Sequence, residues 1–478
     1  MRKELSVFIE RYVKEIRDNS AAVFVGAGFS KSSGYVDWKQ LLESVANELD
    51  LDIEKENDLV SLAQYHFNKN QNRSVINNII FEEFSQNKQL SENHKILARL
   101  PIFTYWTTNY DSLIEDALKE IQRVVDIKHN NKQLSITKPH RDAIVYKMHG
   151  DKENPDDTII IKDDYERYYR EHAPFITTLS GDLISKTFLF IGFSFLDPNI
   201  DYILGRIRID YGEGNRRQHY ALMRKIKKSD FKEIAEYEYA ERKHQLFVDD
   251  LKRYNIKVLL IDEYSEITNI LKEIERRLNS KNIFISGSAA EFGMWSKEEA
   301  SDFIHFLSKK LIQEGYNLVS GFGLGVGSFV ITGALEEIYM KSKTINDDRL
   351  LLRPFPQGIE NEETRMKLWT TYREDMISRA GISIFLFGNK NDAKTEKIVL
   401  ANGMQSEFEI AKRHETAIIP VGCTGFVAEE IWRELNQNLL QYYPQADENF
   451  QKCFQQLNEK KDYKTVINNI LECLKQLK

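Results

Sequence analysis

Cysteine is scarce. The 478 residues hold only Cys423, Cys453 and Cys473, all in the last eighth of the chain and none in a CxxC pair. A disulfide framework and a four-cysteine zinc site are both excluded at that count and spacing, and no metal is expected. Positive charge is also short: 66 Lys and Arg stand against 73 Asp and Glu, a net −7. Without a large positive field, bulk DNA or RNA binding is not expected. No stretch approaches the roughly 20 uncharged apolar residues that cross a bilayer. The opening MRKELSVFIERYVKEIRD interleaves charges with apolar residues at helical spacing and lacks the apolar core of a signal peptide. The expectation is a cytoplasmic protein with no membrane contact.

No low-complexity tract or short repeat is visible, and a composition of 42% hydrophobic and 29% charged residues is that of a chain that folds. At roughly 100 to 200 residues per domain, two or three domains are expected. The boundary falls near 275 to 282, giving domains 1–278 and 279–478. Both halves alternate apolar strand-like runs with helical patterns, which predicts an α/β fold class: two Rossmann-like parallel-sheet domains in tandem.

In the first half the apolar run Ala21 to Val25 breaks at Gly26-Ala27-Gly28-Phe29-Ser30 before a helical pattern from Trp38 to Leu49. Glycines there allow backbone amides close to a pyrophosphate, although an isolated match is equally a tight turn. Further strands are expected at Ile102 to Thr107, Ala143 to Met148, Phe188 to Phe195 and Ile256 to Ile261. Thr107-Thr108-Asn109-Tyr110-Asp111 lies at a strand's carboxyl end, where open α/β sheets bind ligands; taken singly, Asn109 or Asp111 reads as a helix cap. Lys147-Met148-His149-Gly150-Asp151 ends another strand, and Gly192-Phe193-Ser194-Phe195-Leu196-Asp197 interrupts the most apolar one.

This ordered set, GAGFS at 26–30, TTNYD at 107–111, MHG at 148–150 and GFS at 192–194, resembles the sirtuin family over roughly residues 10 to 275. The resemblance implies NAD+ as substrate, with Asn109 and His149 matching the catalytic Asn and His. It also implies that Gly26, Ala27, Gly28, Ser30, Thr108, Asp111, Gly192 and Ser194 hold the dinucleotide, Asp111 at the nicotinamide carboxamide. Asp197 is expected to be structural. Deacylating sirtuins carry a zinc module of four cysteines, and this half has none. Water is therefore the expected acceptor, oriented by Asn109 and deprotonated through His149.

In the second half, strands are expected at 282–286, 316–320, 349–353, 381–387 and 416–421. Ser320 to Ser328 sets a glycine at every other position before the helical run Phe329 to Met340, which reads as an anion-binding nest. FISGSA at 284–289, GFGLGVGS at 321–328 and QSEFE at 405–409 resemble the SLOG superfamily of nucleotide sensors. The PGGxGT motif of its hydrolytic branch is missing. Candidate signal-binding residues are Gly287, Ser288, Gly323, Gly325, Ser328, Arg373, Lys390 and Glu407. Arg365 and Arg379 compete with Arg373 for the signal's phosphate.

A sirtuin-like half followed by a SLOG half resembles the two-domain effector family of the bacterial Thoeris anti-phage system. The resemblance implies an NAD+ hydrolase activated by a cyclic ADP-ribose isomer bound to the SLOG domain, the isomer being made by a TIR-domain partner. It further implies NAD depletion in abortive infection and a homo-oligomer, a tetramer that stacks into filaments on activation. A protein deacylase and a noncatalytic nucleotide-sensing assembly are the competing expectations.

Overall fold

The computed structural model describes residues 2–477 apart from 87, 212–216, 342–348, 357, 393, 394, 396 and 445. The chain forms two compact units, Met1–Glu275 and Arg276–Lys478. No helix among the described residues is long and apolar enough to cross a membrane.

The first unit is built on seven parallel strands: β1 (Ala21–Val25), β2 (Thr104–Thr107), β3 (Val125–Lys128), β4 (Ala143–Lys147), β5 (Thr187–Ile191), β6 (His219–Arg224) and β7 (Ile256–Ile261). Their order is β3-β4-β2-β1-β5-β6-β7. β1 and β5 are buried at every residue, because helices cover both faces of a parallel sheet and no polar alternation is needed. Phe24 of β1 and Phe190 of β5 stack at 5.4 Å. The chain leaves β1 toward β2 on one side, while β5 pairs on the other. Such a switch opens a crevice at the strands' carboxyl ends.

The second unit repeats the scheme with five parallel strands: β8 (Asn282–Ser288), β9 (Asn317–Ser320), β10 (Leu350–Leu352), β11 (Ile382–Phe387) and, after a hairpin, β14 (Ala417–Pro420). The order is β10-β9-β8-β11-β14, so the switch lies between β8 and β11. The antiparallel hairpin β12 (Asn389–Asn391) and β13 (Ile398–Leu400) was not expected from the sequence.

Two strands of the first sheet, β3 and β6, also escaped the pattern. β3 reads VDIK, with Asp126 and Lys128 as apparent surface charges. Both are buried, with Lys128 Nζ 2.8 Å from Asp126 Oδ1 and Arg141 2.8 Å from Oδ2. The expected strand 188–195 stops at Ile191, since Gly192 (φ +64°) and Phe195 (φ +58°) turn the chain away. The expected helix 38–49 is split into Trp38–Leu41 and Glu43–Glu48.

Candidate functional sites

The sheet order sets the ends of β4, β2, β1 and β5 side by side, so the four motifs converge although about 170 residues separate the first from the last. Thr107 pairs with Lys147 in the register of β2 and β4. Asn109 and His149 therefore each stand two residues beyond one matched rung.

The loop after β1 packs directly onto the end of β5. Gly26 N–H donates to Ile191 O and Gly28 N–H to Gly192 O, each at 3.0 Å. A Cβ on Gly26 would strike the Gly192 carbonyl, and one on Gly192 would strike the Phe29 amide. These glycines thus let two backbones touch, and two of the loop amides are already committed to that contact.

Thr107 Oγ1 donates to Val25 O and accepts from Asn109 N–H, both at 2.9 Å. The Asn109 amide nitrogen donates to Gly26 O (3.2 Å) and Ser30 Oγ (3.0 Å), and Ser30 in turn donates to Asp111 Oδ2 at 2.8 Å. Asp111 Oδ1 caps the next helix at Leu113 N–H. Asn109 is thereby fixed, buried, with Oδ1 left without a hydrogen-bond partner. Thr108 and Ala27 are half-buried beside this network, whereas Ser194 is exposed and receives only Leu196 N–H at 3.5 Å.

His149 is buried, and both ring nitrogens lack hydrogen-bond partners. Its Nε2 lies 3.0 Å from Asp197 Oδ2, an ion-pair distance outside hydrogen-bonding angles. Tyr165 meets the ring edge-on at 5.5 Å. Burial, reinforced by the charge of Asp197, raises the Tyr165 and Tyr168 hydroxyls far above the usual phenol range, so neither is a base at neutral pH.

Beneath His149, the fully buried Lys147 ammonium meets Glu115 (3.0 Å) and Asp151 (2.5 Å) and donates to the Tyr110 and Asp111 carbonyls. Burial alone would discharge it; the two carboxylates overcome that and raise its pKa. This network ties the β4 end to the segment carrying Asn109. Glu115 carried no sequence signal, because helical spacing alone makes it a solvated face residue.

In the second unit, Ser286 at the end of β8 donates to Glu407 Oε2 at 2.6 Å, and Arg373 Nε donates to Oε1 at 3.3 Å. All three are buried. Burial pushes the Glu407 carboxyl up, against the Ser286 bond and Arg373, which pull it down. The Arg373 guanidinium lies 5.0 Å from the Phe355 ring centre and 6.0 Å from that of Trp369. Of the rival arginines, Arg379 is exposed and bound to Asp375 (2.8 Å), and Arg365 stands over Trp369 at 5.6 Å. Arg373 alone of the three meets Glu407.

The glycine loop lies against the β8 end: a Cβ on Gly323 would enter the Gly287 carbonyl, and one on Gly325 (φ +75°) the Ala289 carbonyl. Within it Phe322 holds φ +58°, a strained state for an aromatic residue. Ser328 is exposed in the first turn of the following helix, Gly327–Lys341, and Lys390 is exposed on β12. Ser288 Oγ donates to Asn389 O (3.1 Å). The buried Asn389 side chain accepts from Ala290 and Glu291 N–H (2.9 and 3.0 Å) and so pins the hairpin to β8. Asn389 is a positioning residue that the sequence pattern did not distinguish.

The family model of the Sir2- and TIR-associating SLOG family (STALD) matches residues 266–477, and that of the SIR2-like domain matches residues 104–248. The chain is 53% identical over 470 residues to the NAD(+) hydrolase ThsA of Bacillus cereus (strain MSX-D12), spanning 98% of this chain and 97% of that one. It is 47% identical to the NAD(+) hydrolase ThsA of Acinetobacter baumannii (strain 532279), over 96% of each. Defense-associated sirtuin 2 of Bacillus subtilis is 27% identical over 208 residues, 42% of this chain and 20% of that one. With near-complete coverage at about half identity and both halves matching in order, the chain belongs to the ThsA family of NAD(+) hydrolases.

Proposed function

We propose that the first unit hydrolyses NAD+ to nicotinamide and ADP-ribose, and that a cyclic ADP-ribose isomer bound in the second unit switches this activity on, depleting NAD in abortive anti-phage defence. The observation that carries the reading is the set of orphaned atoms: Asn109 Oδ1 and both His149 nitrogens are buried without hydrogen-bond partners, at neighbouring strand ends. Each such atom costs on the order of 1–3 kcal/mol, a cost that is relieved when water and substrate fill the crevice.

The chemistry suits those groups. As the nicotinamide–ribose bond breaks, its electron pair returns to the pyridinium nitrogen and neutralises it, so the leaving group needs no acid. The ribose C1′ becomes electron-poor, and water held by the Asn109 amide oxygen adds there while His149 takes its proton. Asp111, fixed by Ser30 and Leu113, faces the nicotinamide carboxamide. A base of this kind contributes roughly 10²- to 10⁴-fold in rate. The first unit holds no cysteine for a zinc module, which speaks against a deacylase.

In the second unit, the phosphates of the signal draw Arg373 and Lys390, and its ribose hydroxyls donate to Glu407. The loop of Gly323, Gly325 and Ser328 and the β8 end of Gly287 and Ser288 wrap the phosphates. Driving a 1:99 equilibrium to 99:1 requires about 5.5 kcal/mol of differential affinity, which favours a symmetric assembly that sums several bound signals. A homotetramer that stacks into filaments fits that need, and the STALD family description accords with a TIR-domain partner as source of the signal.

Helix Ile234–Leu251 supplies a surface for self-association. Ala235, Tyr239, Arg242 and Leu246 share one exposed stripe at helical spacing. A two-fold axis midway between Ala240 and Glu241 would set Tyr239 against Arg242 of the second copy, Ala235 against its Leu246, and Glu236 beside its Lys243.

The test follows NAD+ loss and nicotinamide release by the purified chain, with and without cyclic ADP-ribose isomers. Turnover that appears only with an isomer supports the reading; equal turnover with and without every isomer removes the switch.

A further inference from the structure

Asp197 looks fully explained by its backbone. It precedes Pro198 at the start of helix Pro198–Tyr211, and its Oδ1 accepts from Asn199 N–H at 2.9 Å and Ile200 N–H at 3.0 Å. That cap uses one oxygen. The other, Oδ2, lies 3.0 Å from His149 Nε2, and the Asp197 side chain is only 9% exposed. A capping residue has no need of a second, buried approach to an imidazole. The loop that delivers it is strained, since Phe195 holds φ +58°, an unfavourable state for an aromatic side chain at that position.

We infer that Asp197 is a positioning residue for His149, the charge of its carboxylate beside Nε2 favouring the tautomer protonated there, which leaves the Nδ1 lone pair free, and stabilising the imidazolium formed when Nδ1 takes the proton of water. This inference rests on the NAD+ hydrolase reading and goes beyond the Asn and His pair. The two oxygens divide the work: the helix amides fix the carboxylate through Oδ1, and the charge at Oδ2 sets which ring nitrogen keeps the proton. Tautomer control of this kind needs a buried acceptor beside one nitrogen and an unpartnered second nitrogen, and both are present.

The other groups around His149 do not substitute for Asp197. Tyr165 offers a ring edge, and the Tyr168 hydroxyl donates to Met148 O at 3.0 Å. Lys147 and Asp151, which flank the same segment, hold one another, and Glu115 also holds Lys147. His172 lies beyond Tyr168, stacked on it at 4.6 Å, and burial lowers its pKa against the charge of Glu171, which raises it. Asn109 is tied to Gly26 and Ser30.

Two substitutions separate positioning from capping. Asp197→Asn keeps the Oδ1 acceptor and the shape while replacing Oδ2 by an amide, and Asp197→Ser keeps an N-cap with no carboxylate at all. Both are assayed in the full chain on NAD+, with a cyclic ADP-ribose isomer present, across pH 5 to 9, beside wild type and Asn109→Ala. In both, kcat is expected to fall at least about tenfold with KM nearly unchanged, and the acid limb of kcat/KM to move to lower pH, because the imidazolium has lost its counter-charge. Thermal midpoints should stay close to wild type. A wild-type acid limb in either folded variant overturns the inference, as does unchanged kcat. If Asn109→Ala keeps wild-type turnover, the hydrolase reading itself has failed, a separate outcome from failure of Asp197 alone.

Discussion

Arg373 donates to Glu407 at 3.3 Å inside the second unit, so the cation and the anion assigned to the signal already satisfy each other. In the proposed function, an entering signal exchanges this internal pair for its own phosphate and hydroxyls. Under the proposed function the pocket then has two positions, closed on itself or opened onto a ligand.

The first prediction follows from that exchange. Glu407→Gln keeps an acceptor for Ser286 but removes the charge that holds Arg373. The isomer concentration for half-activation should rise at least about tenfold, about 1.4 kcal/mol, while saturated turnover is retained. Glu407→Ala, which also leaves Arg373 buried without its counter-charge, should be deaf to the signal and lower the melting midpoint. Titration of NAD+ turnover against isomer measures both.

Glycine substitutions should divide by what a Cβ would meet. Gly26→Ala pushes a Cβ into the Gly192 carbonyl and to 2.7 Å from Phe193 Cα, which forces the β1 loop off the end of β5. NAD+ turnover should fall by at least about 10²-fold, the scale of misplacing a catalytic group. Gly181→Ala, in helix Ala173–Ser185 with nothing within 4 Å of the new Cβ, should leave turnover unchanged and stabilise by about 0.4–1 kcal/mol.

Acid should weaken the first unit through His219. Burial pushes its pKa down from the ordinary 6.5 to about 3, with Arg217 adding to the effect, and its Nδ1 accepts from Phe188 N–H at 3.2 Å. The unfolded chain binds a proton between those values and the folded chain does not, so stability falls as pH drops from about 6.5 toward 3. The slope is about 1.4 kcal/mol per pH unit. His219→Gln should flatten the loss in urea melts between pH 6.5 and 4.5; an unchanged slope refutes the assignment.

Self-association through helix Ile234–Leu251 makes a charge-swap prediction. Lys243→Glu should shift the assembly toward smaller species, because it sets a like charge beside Glu236 of the second copy, and adding Glu236→Lys should restore it. Light scattering coupled to size exclusion reads both steps, and restoration is the result a merely misfolded variant would not give.

How far the sequence discloses the molecule depends on where the information lies. β1, β5 and β11 are legible because a strand covered on both faces is one apolar run. β3 is not, because its charges are neutralised by each other and by Arg141, which no local pattern records. Asn109 and His149 stand out through ordered motifs at strand ends. The approach of Asp197 to His149, the Lys147–Glu115–Asp151 network and the Asn389 clasp are contacts across the sheet. Each of these residues already has a sufficient local reading as a cap, a surface charge or a turn, so only the three-dimensional pairing reveals the second task.

The most direct test of the account is NAD+ consumption by Asn109→Ala with a saturating cyclic ADP-ribose isomer, set beside wild type under the same conditions. Loss of turnover to the background level, in a chain that melts as wild type does, is the predicted result. Wild-type turnover in that variant would contradict it.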